Sequence, residues 1–110
     1  MIQARRPDIV VMDKERKTAT IIDIAVPADR NIADKEEEKI TKYQDLRIEV
    51  SRLWKTKTKV TPIVVGALGS IPKDLKNRLN ELETKGVEYK ILQKAALLGT
   101  ARILRRAMAL

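Results

Sequence analysis

The sequence predicts an α/β domain in which a small mixed sheet is flanked by helices, and three observations predict it. Two β-branched apolar runs joined by a short charged turn read as an antiparallel hairpin. A long stretch with apolar residues every three or four positions reads as a helix, and a third β-branched run follows it, where parallel pairing is open to it. Two further helical stretches complete the order strand, strand, helix, strand, helix, helix.

The hairpin is Arg5-Arg6-Pro7-Asp8-Ile9-Val10-Val11-Met12, a polar turn from Asp13 to Lys17, and Thr18 to Val26. In the second run Ala19, Ile21, Asp23 and Ala25 share one face and Thr20, Ile22, Ile24 and Val26 the other. Both faces are apolar, as expected of a central strand covered on two sides. Pro27 to Asn31 is a loop, because proline stops the ladder and Asp and Asn favour turns. A long helix from about Ile32 to Trp54 follows, with Asp34 and Glu37 spaced as a capping box and acids gathered in its first turns. Its apolar stripe is Ile40, Tyr43, Leu46, Val50, Leu53 and Trp54, the side expected to face the sheet. The third strand is placed at Lys59 to Val65, with Pro62 arguing for an edge position or a bulge and Gly66 and Gly69 ending it. Ile71-Pro72 opens the next helix, with Ser70 as its cap, Leu75, Leu79 and Leu82 as its apolar side and Gly86 as its stop. The last helix runs from Val87 or Glu88 to the end of the chain, although Val87 to Leu92 could open as a short strand. Without a repeat or linker, residues 1–110 form one domain, with the core over 1–70 and the C-terminal helices over 71–110.

Composition narrows the chemistry. With 23 Lys and Arg against 15 Asp and Glu the chain is basic, which favours a polyanionic partner such as nucleic acid. Cysteine and histidine are both absent, which excludes disulfides, cysteine zinc sites, Ser-His-Asp and Cys-His nucleophiles and histidine-metal nucleases. Carboxylates and lysines remain as the groups able to do chemistry. No apolar run approaches the roughly 18 residues of a membrane span and no signal-peptide pattern opens the chain, so the expectation is a soluble protein that is not secreted.

Each strand of the hairpin carries an acid where an apolar neighbour is expected, Asp8 and Asp23. A buried ionised carboxylate without a partner costs several kcal/mol, so a metal, a cation or several donors should compensate it. Hard oxygen ligands on adjacent strands suit Mg²⁺, which completes its shell with water and substrate phosphate oxygens. Lys39 falls in the middle of the helix stripe and Lys42 at its edge. A lysine aimed at the core is rarely left without a partner, although snorkelling past the sheet end would also accommodate Lys39.

Four blocks carry a resemblance: Arg6-Pro7-Asp8 through Asp23-Ile24-Ala25-Val26-Pro27, then Glu38 to Leu46, then Pro62 to Gly69, and the closing Leu92 to Arg106. Together they resemble the restriction-like endonuclease domain of non-LTR retrotransposon polyproteins, a branch of the PD-(D/E)xK nucleases, over nearly the whole chain. The resemblance implies a restriction-endonuclease-like mixed sheet flanked by helices, shortened at its N-terminus by a helix and a strand, with a helical C-terminal tail. It implies a nuclear or intracellular domain, linked to a reverse transcriptase, that nicks target DNA so that the exposed 3′ end primes reverse transcription. It further implies Mg²⁺ or Mn²⁺ on Asp8, Asp23 and the Ile24 carbonyl. The usual motif has lysine two residues after the second acid, where this chain has Ala25. The resemblance therefore implies a lysine supplied from the following helix, Lys39 first and Lys42 second. Arg5, Arg6, Lys55, Lys57 and Lys59 are candidate phosphate contacts. A catalytically silent domain that binds DNA or packs on a polymerase is the alternative.

Overall fold

A computed structural model describes residues 6–83 and 85–108, and in it the chain is a three-layer α/β arrangement built on one mixed sheet. Strand β1 (Ile9–Asp13) turns through Lys14 to Lys17 into β2 (Thr18–Ala25), and β3 (Lys57–Val64) completes the order β1-β2-β3. The β1–β2 pair is antiparallel, with Ile9 opposite Ile22, and the β2–β3 pair is parallel, with Asp23 opposite Pro62. Pro62 therefore lies on an edge strand, where a missing N–H costs least. β2 is central, and every residue from Ala19 to Ile24 is buried.

Alternation along β2 separates two cores. Ile22 and Ile24 join Ile63 and Val65 in an apolar cluster with Leu75, Leu79 and Leu82 of α3 (Leu75–Glu83), Ile91 and Ala95 of α4 (Glu88–Leu97) and Leu104 of α5 (Ala101–Ala107). The three leucines of α3 are fully buried, and truncating such a side chain to alanine costs about 2–5 kcal/mol. On the opposite face, α1 (Ile32–Lys42) and α2 (Gln44–Trp54) lie against β3, with Tyr43 and Val50 buried. A partly buried ion pair between Glu36 of α1 and Arg78 of α3 links the helices of the two layers.

The structure corrects several expectations. The expected helix over Ile32–Trp54 is two helices, broken at Tyr43, whose φ of −99° and ψ of 12° leave helical geometry. The reason lies in Gln44, whose side-chain amide donates to the Ile40 carbonyl at 2.9 Å and so replaces a backbone donor at the end of α1. Arg47 Nε in turn donates to the Gln44 side-chain oxygen at 2.8 Å. Leu53 and Trp54 do not face the sheet but are 67% and 52% exposed, because α2 runs past the end of the core. Asp34 sits inside the first turn of α1, not at its cap, and Asn31 at the N-cap makes no side-chain cap bond. β3 begins two residues earlier than expected, at Lys57, and ends one earlier, at Val64.

The C-terminal part differs in the same way. Ser70 does not cap α3, which starts at Leu75; the Ser70 amide donates instead to Asp29 at 2.9 Å. Asp29 also accepts from the Leu68 amide at 2.7 Å, and its carboxylate fills the space a Cβ at Gly66 would need, 2.6 Å away. Glycine at 66 therefore lets the loop after β3 close on the turn Asp29–Asn31. Val87 to Leu92 is not a strand: α4 starts at Glu88. The expected last helix is two, α4 and α5, because Gly99 turns the chain at a φ of +77°. Residues 1–4 and Arg5, and the expected extension of the last helix over residues 109–110, lie outside the described residues.

Candidate metal centre and its lysines

Asp8 and Asp23 meet because of register. The β1–β2 ladder sets Ile9 opposite Ile22, so one residue further the two aspartates stand across from each other. They exchange hydrogen bonds with the facing backbone. The Asp8 amide donates to Asp23 Oδ1 at 3.1 Å, and the Ile24 amide donates to Asp8 Oδ2 at 2.7 Å. Asp23 is 4% exposed, while Asp8 is half-buried at the rim.

Lys39 reaches this pair from α1. Its Nζ lies 2.7 Å from Asp23 Oδ2, with the lysine side chain 16% exposed, so it turns toward the acids and does not run out past the sheet. Lys42 does not join them. Its ammonium stands over the Tyr43 ring, 5.1 Å from the centroid. Tyr43 is buried behind the acids and donates its hydroxyl to the Arg6 carbonyl at 3.2 Å, anchoring the segment that leads into Asp8. Burial, and then the neighbouring Asp23 carboxylate, push its phenol up to about 12.

Sequence reasoning missed Lys94. It comes from α4, on the opposite side of the sheet from Lys39, and places Nζ 3.3 Å from Asp8 Oδ1. Each aspartate thus has its own lysine, one from each helical layer. A signal for it was present: Lys94 follows Ile91 by three positions and precedes Ala95 by one, so it borders the apolar stripe of α4. Tyr43 was read only as a core residue, and its hydroxyl contact to Arg6 spans 37 positions.

The remaining basic candidates divide. Arg6 is exposed two residues before Asp8 and lies beside the pair, whereas Arg5 is outside the described residues. Lys57 pairs in register with Thr18, five residues from Asp23 along β2, or roughly 17 Å at a strand's rise per residue. Lys55, Lys57 and Lys59 therefore lie at the other end of the sheet, and Lys59 forms an exposed ion pair with Glu81.

The donor set fits a hard cation held mainly by water. Among the described residues no three acidic side chains converge, but Mg²⁺ commonly takes only one or two carboxylates. Each carboxylate offers about four lone-pair sites, so both retain acceptor capacity beyond their present partners. The Ile24 carbonyl fits as well. The Ala25 carbonyl accepts from Val65 of the β3 side, so by alternation the Ile24 amide and carbonyl turn toward β1. Carrying the β1–β2 register two residues past its last pair, Ile9 with Ile22, brings Ile24 level with Pro7, which has no N–H to give. Comparison of the chain with protein-family models, with curated proteins and with solved structures gave no match.

Proposed function

We propose that this chain is a metal-dependent DNA endonuclease domain of the restriction-like PD-(D/E)xK type, working beside a reverse transcriptase in a retrotransposon polyprotein on nuclear DNA. The observation that carries the reading is the facing pair Asp8 and Asp23 with the Lys39 ammonium 2.7 Å from Asp23. Asp8, Asp23 and the Ile24 carbonyl would hold Mg²⁺ or Mn²⁺. When bound, such an ion polarises the scissile phosphate and lowers the pKa of a bound water. Hydrolysis then joins the water oxygen to phosphorus while the bond from phosphorus to O3′ breaks, and a proton passes to the leaving 3′ oxygen. Lys39 orients the attacking water and offsets the charge that develops on the phosphoryl oxygens. Asp23 fixes the lysine by their ion pair, and Tyr43 holds the Arg6 carbonyl, so the approach to Asp8 is set before substrate arrives.

A second reading, a silent DNA-binding domain, draws on one observation: each of the four carboxylate oxygens already has a protein partner, two of them lysines. Incubation of the purified protein with supercoiled plasmid separates the two. The nuclease converts it to open circle with Mg²⁺ or Mn²⁺ and not with EDTA, and persistent supercoiled DNA at saturating protein in both metals would leave only the binding role.

A further inference from the structure

We propose that the open groove between the start of β1 and α4 is a phosphate track, in which Lys90 and Lys94 hold the backbone of the DNA strand as it leaves the acid pair. The inference rests on the nuclease reading for its substrate. The groove has a volume of about 650 Å³ and runs from Asp8 and Ile9 along Lys90, Gln93 and Lys94. Lys90 and Lys94 are four residues apart on one helix, so their side chains stand one turn apart on the same face. Gln93 adds amide donors, and Asp8 is the one acid among the lining residues.

The two lysines that meet the acids are held differently. Lys39 is close to its partner at 2.7 Å and little exposed. Lys94 is further from its partner, at 3.3 Å, and its side chain is 39% exposed while that of Asp8 is 16% exposed, so it lies over the carboxylate from the solvent side. A divalent cation on the carboxylates would satisfy Asp8 and release Lys94 to a phosphate oxygen. Lys94 is in that case a positioning residue whose partner changes from carboxylate to phosphate. A lysine that only neutralised Asp8 would have no such second partner.

The test measures binding of the whole chain to a fluorescent duplex across a salt series, in EDTA and in Mg²⁺, for wild type, Lys90→Ala, Lys94→Ala and Lys94→Arg, with Lys76→Ala, at an exposed position of α3, as a control outside the groove. Each lost phosphate contact should flatten the slope of log K against log salt by about 0.9. Lys90→Ala should do so in both buffers, and Lys94→Ala mainly in Mg²⁺, where Asp8 no longer engages the lysine. Lys94→Arg should restore the slope. Unchanged slopes in both alanine variants, with plasmid nicking intact in wild type, overturn the track and leave the nuclease standing. Flattened slopes in a wild-type background that never nicks leave the track standing and remove the nuclease. Should Lys94→Ala fail to fold, judged by circular dichroism, Lys90→Ala decides alone: a slope within error of wild type overturns the proposal.

Discussion

The two ends of the central sheet carry charge in opposite ways. At one end Asp8, Asp23, Lys39 and Lys94 form a compact cluster whose acids are largely withdrawn from water and whose charges balance one to one. At the other end Lys55 and Lys57 are exposed, and Lys59 meets Glu81 in the open. The difference shows why a count of basic residues says little about a site. Exposed pairs in high dielectric contribute about 0–1 kcal/mol, whereas breaking a buried pair leaves a charge with nowhere to go.

The largest expected effect comes from removing Asp23. Asp23→Ala leaves Lys39 without its carboxylate and should lower unfolding stability by about 3 kcal/mol, read from urea denaturation, the low end of the range for a broken buried pair because Lys39 is partly exposed. Nicking should fall below detection while duplex binding survives at temperatures where the variant is folded.

Next in size is the contrast between two neighbouring lysines. Lys39→Ala should reduce single-turnover nicking by 10²-fold or more, on the order of losing one preorganised electrostatic group, and it should also lower the melting temperature because it strands Asp23 in the interior. Lys42→Ala removes a cation over the Tyr43 ring and should cost about 0.5–1 kcal/mol with nicking unchanged. Loss of nicking in Lys42→Ala and not in Lys39→Ala would reverse the assignment.

A smaller effect appears at alkaline pH. The Tyr43 phenol is raised from 10.0 to about 12 in the folded chain, so the fold binds that proton more tightly than the unfolded chain does. The stability linked to it is fully present below pH 10 and is lost as pH rises from 10 through 12. Denaturation midpoints for wild type should therefore drop more steeply over that window than those of Tyr43→Phe, and parallel curves would contradict the linkage.

The smallest effect belongs to the opposite end. Lys59→Ala breaks an exposed ion pair with Glu81 and should shift stability by less than about 1 kcal/mol, measured by urea titration. A larger loss would mean that this end is organised like the other.

What the sequence by itself determined is local and periodic. Alternation in Thr18–Ala25 marked a strand covered on both faces, and the hairpin pattern brought Asp8 and Asp23 together across its two arms. The stripe of α1 pointed Lys39 inward, since a position on a helix fixes the direction of a side chain. No helix among the described residues is long and apolar enough to cross a membrane, which hydropathy already implied. Tertiary structure decided the rest. Gln44 ended α1 by giving its side-chain amide to Ile40, which periodicity cannot register because an apolar stripe continues across a break of one residue. Leu53 and Trp54 kept the spacing of core residues yet emerged in water, since burial depends on where the sheet ends and not on helical phase. Lys94 stands 86 positions after Asp8 in the chain, and their ion pair exists only because Ile91, Ala95 and Leu104 dock the C-terminal helices against the face of the sheet that carries Ile22 and Ile24. A salt bridge between layers is set by the docking of whole elements, and no local pattern in either segment encodes that distance.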